Sequence, residues 1–236
     1  MNRRDLLRAA AAGMAASVLP ASAGASAPVR RLTPPKGPVN VAVVVGPNGV
    51  VIDFAGPWEA FTDVMAPSAP GDMTSNFQLA MVSDDTTPLD QSGMIVTPRY
   101  SYATYPTQPN VIVMGAQGGH TPEKIAWIKH AAKKADIVMS VCTGAFLLAK
   151  TGLLDGLSAT THHDAYDDFE KQFPKIHLVR GPRFVDNGKI ATSGGESSGI
   201  ELALHVVSRY YGESAAADSA DAMEYNRSAS RPPARA

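Results

Sequence analysis

Cys142 is the only cysteine among the 236 residues, and its neighbours are typical of a turn between a strand and a helix. The apolar run 137–141 precedes it, the small residues Thr143 and Gly144 follow, and 145–150 has the pattern of a helix. A side chain at such a turn lies at the amino end of the helix, where free N–H groups and the helix dipole favour an anion. We therefore predict a thiol with a lowered pKa, held in the geometry of a nucleophile elbow.

Plainer interpretations of the same residues stay open at this point. Cysteine is one of the residue types most often buried, so Cys142 is equally consistent with inert packing. Asp53 precedes Gly56-Pro57 and is consistent with a helix cap. The six histidines form no convincing metal set, because the adjacent residues His162, His163 and Asp164 are not expected to face one ion. We predict neither a metal nor a cofactor.

Strands and helices alternate along the chain, which predicts an α/β fold. The alternation indicates an open, mostly parallel sheet with helices on both faces. The predicted strands cover 39–45, 77–83, 111–114, 137–141, 158–161, 176–180 and 184–192, the last turning at Asn187-Gly188, with a small hairpin in 87–102. The predicted helices cover 122–135, 145–150, 164–173, 197–211 and 214–225, and a further helix reaches Met65 with Pro57 in its first turn.

The residues with chemical potential fall at one edge of this predicted sheet. Folds of this class bind ligands beyond the carboxyl ends of their strands. Cys142 lies at one such end, the glycine-rich segment 115–120 lies at another, and His162 lies near a third. We expect these three places to contribute to one site.

The amino-terminal residues have the pattern of an export signal. Arg3-Arg4 is followed by the apolar run 9–19 and by the small-residue exit Ala21-Ser-Ala23, and the run is too short to cross a bilayer. The arginine pair favours the twin-arginine type over an ordinary secretory signal, which predicts a periplasmic or secreted protein. We divide the chain into the signal 1–23, a linker 24–38, a single domain 39–226 and a flexible tail 227–236.

The charge of the mature chain argues against a nucleic-acid partner. Removal of residues 1–23 leaves 18 basic and 21 acidic side chains, a formal net charge of −3. A nucleic-acid-binding domain is expected to carry a basic face. No later segment is apolar and long enough for stable membrane insertion. We expect a small-molecule substrate.

Three motifs in order resemble the ThiJ/PfpI superfamily, relatives of the class I glutamine amidotransferases. They are Ile52-Asp-Phe-Ala-Gly-Pro57, the cysteine segment 140–156 with Ala159-Thr-Thr-His162 after it, and the glycine turn Thr192-Ser-Gly-Gly195 with its helix. The similarity runs from about Val39 to Gly212. It implies a flavodoxin-like three-layer sandwich and, as relatives commonly pair, a homodimer.

Within the superfamily, Cys142-Thr143-Gly144 together with the early aspartate is similar to the isonitrile (isocyanide) hydratase branch. The resemblance implies Cys142 as the nucleophile, Asp53 as its acid and base, and Thr143 as a support. It places His162 at the pocket and Gly115-Ala116-Gln117 where many relatives have a Pro-Gly-Gly loop facing the substrate. Gln117 is expected to point its amide into the site, or else the pocket suits a different substrate.

The resemblance therefore predicts hydration of an isocyanide to an N-substituted formamide through a Cys142 thioimidate. A non-catalytic redox or stress sensor of the same fold is the alternative in another class. Glyoxalase or deglycase activity on reactive carbonyls is weakened by Thr143, which stands where such members place a histidine. A transcription regulator is disfavoured by the export signal. Glu196 is a second carboxylate within reach of the pocket, with a surface role equally open.

Overall fold

The central feature of the fold is a mostly parallel sheet, as predicted. The computed structural model describes residues 30–64, 75–227 and 234–235. Within them eight strands form the main sheet, namely β1 Val39–Val44, β2 Phe77–Ser83, β5 Tyr100–Ser101, β6 Val111–Met114, β7 Ile137–Ser140, β10 Phe184–Asp186, β11 Ile190–Ser193 and β12 Ala234–Arg235. Their order in the sheet is β12-β10-β11-β7-β6-β1-β2-β5, and only the β10–β11 pair is antiparallel.

Two short sheets lie beside the main one. The hairpin predicted in 87–102 is present, and the predicted strands at 158–161 and 176–180 are each reduced to two residues. The antiparallel pair is β3 Leu89–Gln91 with β4 Met94–Val96, and the parallel pair is β8 Ser158–Ala159 with β9 His177–Leu178.

Helices cover both faces of the main sheet. Because successive side chains of a strand point to opposite faces, β1 contributes Val41 and Val43 to one apolar core and Ala42 and Val44 to the other. Packing on two faces explains why the strands have continuous apolar runs. The helices are α1 Val51–Thr62, α2 Pro122–Ala132, α3 Gly144–Lys150, α4 Tyr166–Gln172, α5 Ser198–Tyr211 and α6 Glu213–Ala222, with a 3₁₀ turn at His163–Ala165.

Helix α1 begins earlier than the sequence indicated. Its first residue is Val51, so Asp53 lies in its first turn and Pro57 lies inside the helix. The residue at the cap position is Val50, whose side chain makes no capping hydrogen bond. Asp53 is therefore not the cap of this helix, and its carboxyl is free for another role.

Part of the predicted linker is docked on the domain. Residues 30–38 contain neither helix nor strand, yet the N–H of Leu32 donates to the carbonyl of Arg209 at 2.7 Å. Arg31 donates to the carbonyl of Ser208 at 2.7 Å. The predicted export signal lies outside the described residues, and so does most of the predicted tail. In the part of the chain that the structure describes, no helix has the length and apolarity to cross a membrane.

Candidate active site

Cys142 lies in the turn between β7 and α3 with its backbone in the left-handed region. Its φ is +58°, a conformation that costs a non-glycine residue about 1–3 kcal/mol unless its surroundings hold it. Its N–H donates to Gly194 at 3.0 Å, and its carbonyl accepts from the Thr161 hydroxyl at 2.9 Å. The residue is only 6% exposed. The turn is thus fixed from two sides, and the sulfur lies largely below the surface.

Asp53 is fully buried beside this sulfur. Its Oδ2 accepts a hydrogen bond of 2.9 Å from the N–H of Ala116, the residue two positions beyond β6. Its Oδ1 is buried without a well-aligned hydrogen bond, although the Cys142 thiol is close enough to lower the pKa of the carboxyl. The two groups are therefore in contact but not tightly hydrogen-bonded, as is common in active sites without substrate.

Burial raises the pKa of Asp53 to about 6. Desolvation is the largest cause, and the charge of Glu196 adds to it, while the hydrogen bonds from Ala116 and Cys142 oppose it. This is the direction expected of a carboxyl in a partly dry pocket. At neutral pH Asp53 is mostly ionised, but a proton can be placed on it at little cost.

The prediction of a lowered pKa for Cys142 is wrong. Burial, followed by the negative charge of Asp53, raises the pKa of the thiol to about 11. The N–H groups of Thr143 and Glu196 and the Thr143 hydroxyl contact the sulfur and offset only part of this rise. Desolvation and a neighbouring carboxylate thus outweigh the short helix α3. At neutral pH the proton of the pair resides on sulfur.

Glu196 enters the site through its backbone. It has a left-handed φ of +49°, and its N–H contacts both the Cys142 sulfur and the Asp53 carboxyl. The sequence analysis considered only the Glu196 carboxylate, because a backbone N–H donor has no signal in the residue type. The side chain is exposed at the surface above the pair.

The segment Gly115-Ala116-Gln117 holds the site in place. A side chain at Gly115 would approach the Cβ of Asp53 to 2.6 Å, so only glycine fits there. We expected Gln117 to point its amide into the pocket. Instead the amide donates to Val44 at 2.9 Å and accepts from the buried Lys124 at 3.1 Å. The three residues border a void of only about 10 Å³.

A large open cavity of about 940 Å³ lies next to the cysteine turn. Its wall includes Thr161, His162 and the segment Gly194–Ser198, and neither Cys142 nor Asp53 belongs to it. The wall is nevertheless bonded to the turn, since Thr161 and Gly194 both hold the Cys142 backbone. His162 packs directly on Gly195, where a side chain would come within 2.9 Å of the ring nitrogen Nε2. Of the residues predicted to bind substrate, His162 alone lines this cavity.

The sequence-adjacent residues His162, His163 and Asp164 come closer together than expected. One donor atom of each lies within 4.8 Å of the others, because the 3₁₀ turn folds them onto one side. The two imidazole rings stack with 4.3 Å between their centres. The Nδ1 of His162 already accepts from the N–H of Asp164 at 3.3 Å, and His163 and Asp164 are exposed.

The model of the DJ-1/PfpI family matches residues 39–209, which include the whole cysteine–aspartate pair and its surroundings. The chain belongs to the DJ-1/PfpI family. This family placement agrees with the resemblance inferred from the three sequence motifs.

Proteins similar in sequence to this chain fall into more than one functional class. An isonitrile hydratase of Pseudomonas putida is 30% identical over 179 residues, which cover 74% of this chain and 73% of the hydratase. The HTH-type transcriptional regulator GbdR of Pseudomonas aeruginosa is 27% identical over 138 residues, 57% of this chain. The chain spans only 37% of the length of that regulator.

Solved DJ-1/PfpI structures share the fold. A THiJ/PfpI family protein from Pseudomonas syringae superposes with a TM-score of 0.70 at 23% identity, covering 92% of this chain and 86% of the other. Drosophila melanogaster DJ-1beta superposes with a TM-score of 0.64 at 15% identity, covering 80% and 99% of the two chains. At these identities the likeness concerns the architecture alone.

Proposed function

We propose that the protein is a cysteine-dependent enzyme that hydrates an isocyanide to an N-substituted formamide. The observation that carries the proposal is the contact between a protonated thiol and a buried, ionised carboxyl with a pKa of about 6. The similarity to an isonitrile hydratase over 74% of the chain supports the choice of reaction. In this proposal the turn at Cys142 serves as a nucleophile elbow.

The first step adds the thiol across the isocyanide carbon. The Asp53 carboxylate takes the proton of the Cys142 thiol while the sulfur attacks that carbon, so that a C–S bond forms as the S–H bond breaks. The proton then passes from Asp53 to the same carbon, which gives a thioimidate with an N=CH–S group. One residue that takes and returns a proton is sufficient, which suits a carboxyl whose pKa lies near the working pH.

Hydrolysis of the thioimidate completes the reaction. Water adds to the carbon, with Asp53 accepting one of its protons, and the C–S bond then breaks. The nitrogen and the sulfur each end with one hydrogen, so the products are the formamide and the free thiol. The N–H groups of Thr143 and Glu196 contact the sulfur and stabilise the negative charge it carries between these states.

The raised pKa of Cys142 favours this enzyme over the alternatives. A redox sensor depends on a thiolate that peroxide oxidises readily, and a thiol with a pKa of about 11 has little thiolate at neutral pH. Glyoxalase or deglycase activity is disfavoured because the residue after the cysteine is Thr143 and not the histidine of such members.

Export to the periplasm and pairing as a homodimer remain parts of the proposal. Export is tested by looking for the mature protein in a periplasmic fraction, and pairing is tested by measuring its mass in solution.

The proposal is tested by incubating the purified protein with cyclohexyl and aryl isocyanides and measuring the formamides by chromatography. We expect turnover by the wild type, none by Cys142→Ala, and a loss of about 10²- to 10⁴-fold in kcat for Asp53→Asn. Glu123→Gln removes an exposed carboxyl on α2 and serves as the matched control with unchanged turnover. Absence of any formamide from the wild type across the panel would refute the proposal.

A further inference from the structure

Arg183 is a partly buried cation whose partners are all neutral. It lies just before β10 on the wall of the large cavity. Its Nη1 donates to the hydroxyl of Ser197 at 3.2 Å, and its Nη2 donates to the hydroxyl of Tyr225 at 3.0 Å. Its Nε is buried and has no hydrogen-bond partner. Among the described residues, no carboxylate forms an ion pair with this guanidinium.

Two other arginines of the domain have direct carboxylate partners. Arg180, three residues earlier, pairs with Asp167 at 2.8 Å and with Glu170 at 3.0 Å although it is exposed. The fully buried Arg209 pairs with Asp186 at 3.2 Å. Arg183 is half-buried, and Glu201 reaches it only indirectly, through the Tyr225 hydroxyl that donates to the Glu201 carboxylate at 3.3 Å. A guanidinium that lines a cavity with a buried, unpaired Nε can therefore still take an anion as a direct partner.

The position of Arg183 relates it directly to the cysteine. Gly194 joins them, because it accepts from the N–H of Cys142 at 3.0 Å and donates to the carbonyl of Arg183 at 2.9 Å. The two residues therefore lie on either side of the strand that Gly194 extends, about 10 Å apart by two strand spacings. A small molecule in the cavity can contact the guanidinium at one end and, at the other, Thr161 and Gly194, which hold the backbone of Cys142.

The surroundings favour a single negative charge on that molecule. Helix α5 begins beside Arg183, and its dipole adds a weak positive potential there. Glu196 lies on the same cavity wall and opposes a more highly charged group. The planar guanidinium matches the two oxygens of a carboxylate.

We propose that the substrate carries a carboxylate, which Arg183 binds while the isocyanide carbon lies at Cys142. The inference rests on the proposed function and deepens it: the substrates are isocyano acids rather than neutral isocyanides. Arg183 is then the residue that determines specificity, and the hydroxyls of Ser197 and Tyr225 hold its side chain in place.

The test compares each isocyano acid with its own methyl ester, using isocyanoacetate, 3-isocyanopropanoate and 4-isocyanobutanoate to span the distance. We expect the wild type to prefer one of the acids over its ester in kcat/KM. Arg183→Gln should lower kcat/KM for that acid by about 10- to 100-fold and leave the ester unchanged. Arg183→Lys should recover part of the loss. Arg180→Gln removes an arginine that is already paired and should change neither substrate.

The outcomes separate the inference from the proposed function. Two results would contradict the inference and leave the proposed function intact. One is that the wild type hydrates the esters and prefers none of the acids. The other is that Arg183→Gln lowers kcat/KM equally for the acid and its ester. If no isocyanide is hydrated, the function fails and binding alone tests Arg183. N-formylglycine, but not its methyl ester, should then raise the melting temperature of the wild type and not of Arg183→Gln. The inference would be overturned if N-formylglycine raised the melting temperatures of the wild type and Arg183→Gln equally, or raised neither. A sulfonate analogue that binds better than the carboxylate would also overturn it.

Discussion

At neutral pH the Cys142–Asp53 pair holds one proton, and that proton is on sulfur. Burial raises the pKa of both groups, to about 11 for the thiol and about 6 for the carboxyl, and the charge of Asp53 further raises that of Cys142. The pair therefore works as an acid and a base in contact rather than as a free thiolate. Its activity should depend on the ionisation of Asp53.

The ionisation of Asp53 predicts the direction in which kcat/KM changes with pH. Because Asp53 must be ionised to accept the thiol proton, kcat/KM should rise with pH through about 6 and then level off. Glu196→Gln removes a charge that raises the pKa of Asp53, so the rise should move to lower pH. Rates measured between about pH 4.5 and 9 test this. A profile that instead rises only above pH 8 would show that thiolate formation limits the reaction.

The same carboxyl should destabilise the folded protein. Its pKa is higher in the folded than in the unfolded chain, so stability falls as pH rises from about 4 to 6, and the penalty is complete at higher pH. Asp53→Asn removes it and should raise the free energy of unfolding at pH 7.5 by up to about 3 kcal/mol, but not at pH 4. Urea denaturation at both values measures the difference. Equal effects at the two pH values would mean that the charge of Asp53 carries no such penalty.

Among the elements, the turn between β7 and α3 depends on close contact with the end of β6. A side chain at Gly144 would lie 2.8 Å from the carbonyl oxygen of Gly115, the residue that packs against Asp53. The turn and the carboxyl are thus positioned by the same few backbone atoms. Displacing one displaces the other.

Gly144→Ala should therefore damage activity through geometry alone. We expect a loss of about 1–3 kcal/mol in the free energy of unfolding and a fall of at least about 10-fold in kcat/KM, because the sulfur and carboxyl separate. Gly37→Ala is the matched control, since no atom lies within 4 Å of a side chain there. Urea denaturation and initial rates measure both effects. Normal activity in Gly144→Ala would show that the turn tolerates movement.

The elements also show what a sequence can predict. Apolar runs and turn residues predicted the sheet class, the hairpin and the strand before Cys142, because these depend on local periodicity. The start of α1 was missed, since Val50 carries no capping signal. The thiol pKa and the partners of Gln117 were missed because both depend on tertiary contacts. The role of Glu196 as a backbone donor was missed for the same reason, and so were the hydrogen-bond partners of Arg183, which are distant in sequence.

For the whole molecule, the docking of residues 30–32 bears on the proposed export of the protein. Leu32 and Arg31 are bound to the end of α5, while Arg209 donates to the carbonyl of Arg30 at 3.0 Å and so joins the segment to the core. The described chain thus begins as an integral part of the domain. Any signal peptide ahead of it is attached close to the folded body.

Because the segment is docked, only a short stretch of chain separates the domain from the proposed signal. From Arg30, the first docked residue, back to the proposed cleavage site after Ala23 the chain can reach at most about 25 Å. A signal still in the translocation machinery would therefore keep the folded domain within one domain diameter of the membrane, and the peptidase would have to work in that gap. Only after cleavage of the signal would the domain leave the membrane surface, so that substrate could approach the cavity from any direction.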